Sequence, residues 1–168
     1  ILDINPSGDS NLIFRSQRPG DIGYLIHRHG AIYSREYGFN EHFESYVAAG
    51  LASFIDNYNS DREKLWIVER YGKTIGSIAI VAKSKRVAQL RWLFVEPEAR
   101  GSGLGRRLVE EAVSFARERG YHQVVLWSVR CLHKARKIYK KQGFELLEER
   151  KNQSWGSDVT EEYWSKKL

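Results

Sequence analysis

The hydrophobic positions change their period along the chain. After a short apolar run at Leu12-Ile13-Phe14, which reads as a strand, they take helical spacing. Ile22, Leu25, Ile26, Tyr33 and Tyr37 lie on one face, and Phe43, Val47, Leu51, Phe54, Ile55 and Tyr58 on the next. This predicts two helices. The first opens at the Pro19-Gly20-Asp21 turn with Asp21 as N-cap and closes at Gly38, and Asn40 caps the second. From Lys64 the period falls to that of strands, at 65–70, at 74–81 after the turn Tyr71-Gly72-Lys73, and at 90–95 after a second turn at 83–86. Leu104, Leu108, Ala112, Phe115 and Ala116 restore a helix, ended by Gly120. QVVLWSV, residues 123–129, is a buried strand. A helix over 132–141 stops at Gly143, and 144–149 with 158–164 close the chain as a strand pair. The order βααβββαβαββ predicts one α/β domain, a mixed sheet of about seven strands with four helices. Residues 1–10 read as an entry segment or linker end, and 11–168 as the domain.

Composition narrows the classes. The chain has 168 residues, 42% of them hydrophobic, enough for a core without disulfide or metal staples. A single cysteine, Cys131, excludes an intrachain disulfide and fits a reducing compartment, so a cytoplasmic protein is expected. The sequence contains no Met, which points to a start within a longer gene product. No set of Cys, His and carboxylates has metal-site spacing. The net charge of +6 favours an anionic cofactor or partner. The basic residues are spread along the chain, with a local excess from Arg130 to Lys141, so nucleic acid is not expected to bind this domain alone.

The densest chemistry lies in LRWLFVEPEARGSGLGRRLVEEAVSFARER, beginning at Leu90. A strand ends at Pro97, and Arg100-Gly101-Ser102-Gly103-Leu104-Gly105 leads straight into a helix. A helix start has unpaired N–H groups and the positive end of the helix dipole, and glycines let a phosphate approach that backbone closely. Arg100, Arg106 and Arg107 add charge, so a phosphate or pyrophosphate ligand is expected. The P-loop pattern fails because no lysine follows these glycines at the right spacing. The dinucleotide fingerprint G-x-G-x-x-G fails because its sixth position is Arg106.

The pattern present is R/Q-x-x-G-x-G/A, with Arg100, Gly103 and Gly105 in the fixed places after Val95-Glu96-Pro97. It resembles the coenzyme A loop of the GNAT superfamily of N-acetyltransferases. The element order and the run from Ala135 through Tyr139 to Gly143-Phe144 resemble that superfamily too. More narrowly, RPGDIGYLIHRHGAIYSREYGF resembles the start of acetyltransferase domains fused to MarR-type regulators. The resemblance implies acetyl-CoA as cofactor, with its pyrophosphate on the backbone of Gly101, Ser102, Gly103, Leu104, Gly105 and Arg106. It implies pantetheine amides along the strand edge at Phe94 and Val95, and Tyr139 as donor to the leaving thiolate. Where relatives have Asn after the fifth strand this chain has Val129, so Arg130 or His133 takes over that cofactor contact. Asn152 and Gln153 stand where relatives often carry histidines, which removes a titratable role there.

The implied reaction is acetyl transfer to a primary amine of a small molecule or protein. A lysine-like amine has a pKa of about 10.4, so a base must take its proton. Glu36 and Glu69 are the candidates. Glu96 reads as a solvated turn carboxylate. His27 and His29 have a suitable ordinary pKa, but on a helix residues two apart point differently. Arg28, Tyr33 and Tyr37 are candidates to line the acceptor pocket, and a helix packed through its aromatic residues is the alternative. The rival function is an acyl-CoA-binding sensor with little turnover. The oligomeric state, a homodimer included, stays open.

Overall fold

A computed structural model describes residues 11–168; the entry segment expected at 1–10 lies outside them. The strands are β1 (Leu12–Arg15), β2 (Lys64–Arg70), β3 (Lys73–Ala82), β4 (Val87–Val95), β5 (Gln123–Val129), β6 (Glu145–Asn152) and β7 (Val159–Lys167). The helices are α1 (Asp21–Tyr37), α2 (Glu41–Asp56), α3 (Leu104–Glu118) and α4 (His133–Lys141), with one 3-10 turn at Pro97–Ala99. This is the expected order. The seven strands form one sheet in the order β1-β2-β3-β4-β5-β7-β6. Every neighbouring pair is antiparallel except β4 and β5. A parallel pair needs a crossover, and α3 supplies it.

Each face of the sheet carries its own core. Trp66, Val68, Ile78, Ile80 and Leu90 pack against Leu108, Ala112 and Phe115 of α3 and Tyr139 of α4. On the other face Leu65, Ile67 and Ala79 meet Leu25 and Ile32 of α1 and Val47, Leu51 and Phe54 of α2. Burying a side chain such as Leu25 or Leu108 fully contributes about 1.5–3 kcal/mol. One capping expectation is corrected. Gly20, in the left-handed region at φ 98°, is the N-cap of α1, and Asp21 is the first helical residue. The Asp21 carboxylate is drawn instead to Arg15 at the end of β1, 2.7 Å away, and to the Arg18 N–H at 2.6 Å.

Two features of β4 position the site. The first is a bulge. Ala88 and Leu90 face the α3 side, whereas Trp92 and Phe94 face α1 and α2, although all four have the same parity. Alternation forbids this unless an extra residue intervenes. The register supplies it: Ser77 pairs with Phe94 but Ala79 pairs with Arg91. Trp92 takes up the kink at φ 51°, and the Ser77 hydroxyl donates to its carbonyl at 2.8 Å. The second feature is a splay. β4 and β5 pair only through Val87 with Gln123, Ala88 with Val124 and Gln89 with Val125. Beyond these pairs the strands diverge and leave a notch in the sheet.

Candidate active site

The glycine loop closes one end of the notch. Gly101 and Gly103 have φ of 81° and 82°, a region that side chains strain to adopt. A Cβ built on either would meet nothing within 4 Å, so the backbone is open to an approaching group. The Ser102 hydroxyl turns inward and donates to the Ala99 carbonyl at 2.7 Å, pinning the loop to the 3-10 turn. The first N–H groups of α3 have no helical acceptor. A Cβ on Gly105 would come within 3.1 Å of Ile138 Cδ1 and 3.8 Å of Val95 Cγ2. The start of α3, the face of α4 and the end of β4 therefore converge there. An open cradle of N–H donors beside a notch fits the pyrophosphate and pantetheine of the expected cofactor. Leu104, by contrast, turns its side chain into the core, so only its backbone serves the loop.

The three arginines diverge. Arg100 forms a two-pronged ion pair with Glu36 of α1, at 2.7 and 3.0 Å, and joins α1 to the loop. Arg106 pairs with Glu110, which also accepts from Gln142 after α4, so it lies on the α4 side. Arg107 lies over the Phe14 ring of β1, 4.3 Å from its centre. That contact seats its guanidinium against β1. His133 is exposed at the start of α4.

Tyr139 is buried under α4 beside Phe144 and Trp164. Burial pushes its pKa up, and the Ser128 hydroxyl pulls it partly back. It stays a phenol, a proton donor, across the physiological range. Tyr33 is raised by burial and then by Tyr139, Tyr37 and Cys131, with Arg100 opposing. These groups therefore lie within electrostatic reach of Tyr33. Tyr33 also stacks on Phe43, 4.6 Å between ring centres, at the edge of an aromatic cluster completed by Phe39 and Trp155. Tyr33 and Tyr37 of α1 thus pack on one another and on this cluster.

The remaining candidates separate. Glu69 is paired with Arg15 at 2.7 Å and stands on β2, two strands from β4. Glu96 is not a solvated turn carboxylate. It is buried, accepts from Arg28 Nε at 2.6 Å and Nη2 at 2.8 Å, and accepts from the Tyr24 hydroxyl at 2.8 Å. Burial alone raises its pKa, but Arg28 and Tyr24 outweigh that and hold it below the ordinary carboxylate value. The same burial and partner push Tyr24 up to about 12. Arg28 is thereby tied to Glu96 at the end of β4. His29 is buried on Phe94, 5.5 Å between ring centres, and its Nδ1 donates to the Leu25 carbonyl at 2.7 Å. Burial lowers its pKa to about 4, so the ring is neutral. His27 is exposed, as residues two apart on a helix require. No cluster with metal-ligand character occurs among the described residues. No described helix is long and apolar enough to cross a membrane.

The family model for the acetyltransferase (GNAT) family matches residues 28–144. An uncharacterized N-acetyltransferase of Archaeoglobus fulgidus is 33% identical over 88 residues, 49% of this chain and 60% of that protein. One from Methanocaldococcus jannaschii is 32% identical over 91 residues, 51% of this chain and 40% of that protein. The chain thus spans about half the length of these curated relatives. Among solved structures, the yncA protein of Salmonella typhimurium, described with its cofactor acetyl-CoA, superposes with a TM-score of 0.75 at 15% identity. The match covers 94% of each chain. The sequence match runs from Arg28 on α1 through the glycine loop to Phe144 after α4, so the chain belongs to the acetyltransferase (GNAT) family.

Proposed function

We propose that this domain is an acetyl-CoA-dependent N-acetyltransferase acting on a primary amine by direct attack on the thioester. The observation that carries the proposal is convergence. An open glycine cradle meets the splayed end of β4 and the face of α4, the helix that carries the buried phenol of Tyr139. The backbone from Gly101 to Arg106 holds the pyrophosphate, with Arg100 and Arg106 beside it. The edge at Phe94 and Val95 takes the pantetheine amides.

Acetyl-CoA supplies an acetyl group activated as a thioester. The amine nitrogen bonds to the carbonyl carbon, and the C–S bond breaks. Tyr139 gives its proton to the departing sulfur. Glu36 takes the proton lost by the amine, directly or through water, because it stands at the notch beside Arg100 and Tyr37. Glu69 is the second candidate, paired with Arg15 on β2. Tyr33 and Tyr37 border the acceptor, a small-molecule amine or a protein lysine. The closer likeness of the α1 segment to MarR-fused acetyltransferase domains rests on RPGDIGYLIHRHGAIYSREYGF. It favours a domain, 11–168, that works beside a regulator in the cytoplasm.

Isothermal titration with acetyl-CoA, CoA and NADH tests the cradle. One-to-one binding of both CoA ligands and none of NADH is expected. Thiol release in an amine screen then tests transfer. Absence of CoA binding sinks the proposal; binding with no turnover for any amine converts it to an acyl-CoA sensor.

A further inference from the structure

Six buried side-chain N or O atoms lack a hydrogen-bond partner among the described residues, and five of them belong to Ser128, Arg136, Glu162 and Trp164. These four side chains gather beneath α4. Ser128 on β5 is the register partner of Glu162 on β7, and Leu126 is that of Trp164. Ser128 shares the parity of Val124 and Leu126, whose side chains face the α3 and α4 core that contains Tyr139. Arg136 is one helical turn before Tyr139 on α4. It reaches down to Glu162, Nε to Oε1 2.9 Å, an ion pair without hydrogen-bond alignment. Glu162 is fully buried, and Ser128 is 9% exposed.

Leaving a buried hydroxyl unpaired costs about 1–3 kcal/mol, and an alanine or valine would fill the place without that cost. The serine therefore calls for a reason beyond packing. At rest the Ser128 and Tyr139 hydroxyls are out of full hydrogen-bond alignment, yet Ser128 lies close enough to favour the phenolate. The competing acceptor for its proton is the neighbouring Glu162 carboxylate. Arg136 neutralises that carboxylate and leaves the serine proton to Tyr139.

We propose that Ser128, kept available by the Arg136–Glu162 pair, is a positioning residue for Tyr139. Its hydroxyl donates to the phenolic oxygen, which turns the phenolic proton outward to the notch. As Tyr139 gives up that proton to the leaving sulfur, the Ser128 bond tightens on the phenolate oxygen and Ser128 keeps its own proton. The inference rests on the proton-donor reading of Tyr139.

The test compares Ser128→Ala, Ser128→Thr, Tyr139→Phe and the double variant Ser128→Ala/Tyr139→Phe. Thiol release from acetyl-CoA is followed, with a saturating amine where the screen yields one and as hydrolysis otherwise. Ser128→Ala is expected to lower kcat about three- to tenfold with the KM for acetyl-CoA unchanged. Ser128→Thr is expected to restore most of the rate, and Ser128→Ala to cost nothing further once Tyr139 is Phe. A slow Tyr139→Phe beside a wild-type Ser128→Ala overturns this inference alone. So does an equal loss from Ser128→Ala in both backgrounds, which marks a purely structural effect. Tyr139→Phe at the wild-type rate overturns the proton-donor reading, and this inference with it.

Discussion

His29 has a charge that the fold forbids. Its ring lies between Tyr33 and Phe94, and one nitrogen donates to the backbone of its own helix. Its folded pKa of about 4 lies below the ordinary 6.5, so the unfolded chain binds the extra proton first. The stability from keeping it neutral is complete above pH 6.5 and is lost as the pH falls toward 4. Denaturant titrations across that window should show a loss of up to roughly 3 kcal/mol. His29→Gln should flatten that part of the profile; an unchanged slope refutes the assignment. Glu96 acts lower on the scale. Its pKa is depressed, so its contribution is complete above the ordinary 4.5 and fades as the pH falls through the lower folded value. The sequence could show that the two α1 histidines point in different directions, because helical geometry is local. It could not show that Glu96 is buried, because the partner that makes burial tolerable, Arg28, is 68 residues away.

At the scale of elements, the glycine loop was legible because its constraint is local: three glycines, a proline stop and a helix start lie in one run. Gly103→Ala tests it. The left-handed backbone should cost about 1–2 kcal/mol of stability, since an L side chain is strained there. The new methyl stands in open space on the cradle, so acetyl-CoA affinity should fall at least tenfold while the far-ultraviolet spectrum is kept. Loss of stability without loss of affinity would move the ligand off this backbone. The bulge in β4 was not legible. Nothing in Arg91-Trp92-Leu93 announces a positive φ, and the extra residue exists only relative to β3, whose register long-range packing decides. The contact of Arg107 with Phe14 has the same origin. Its spacing from Arg106 is fixed by sequence, but the ring that captures it comes from β1.

For the whole molecule, strand order in space follows strand order in sequence until the last pair, where β7 inserts between β5 and β6. Hence β1 to β4 come from the chain before the loop and β5 to β7 from the chain after it. A ligand seated in the notch touches both parts. Acetyl-CoA at one hundred times its dissociation constant should add about 2.7 kcal/mol of stability, read as a rise in melting temperature. NADH, at equal concentration, should leave the melt unmoved.

The three residue pairs between β4 and β5 also make a fault line. A sheet tears where its rungs are fewest, and here the short ladder coincides with the boundary between the two halves of the polypeptide. The unliganded protein is expected to breathe along this line, exchanging the amide hydrogens of Leu93 and Val95 sooner than those of β3. The cofactor would then act as mortar, and the same joint marks the place to divide the chain into two complementing fragments.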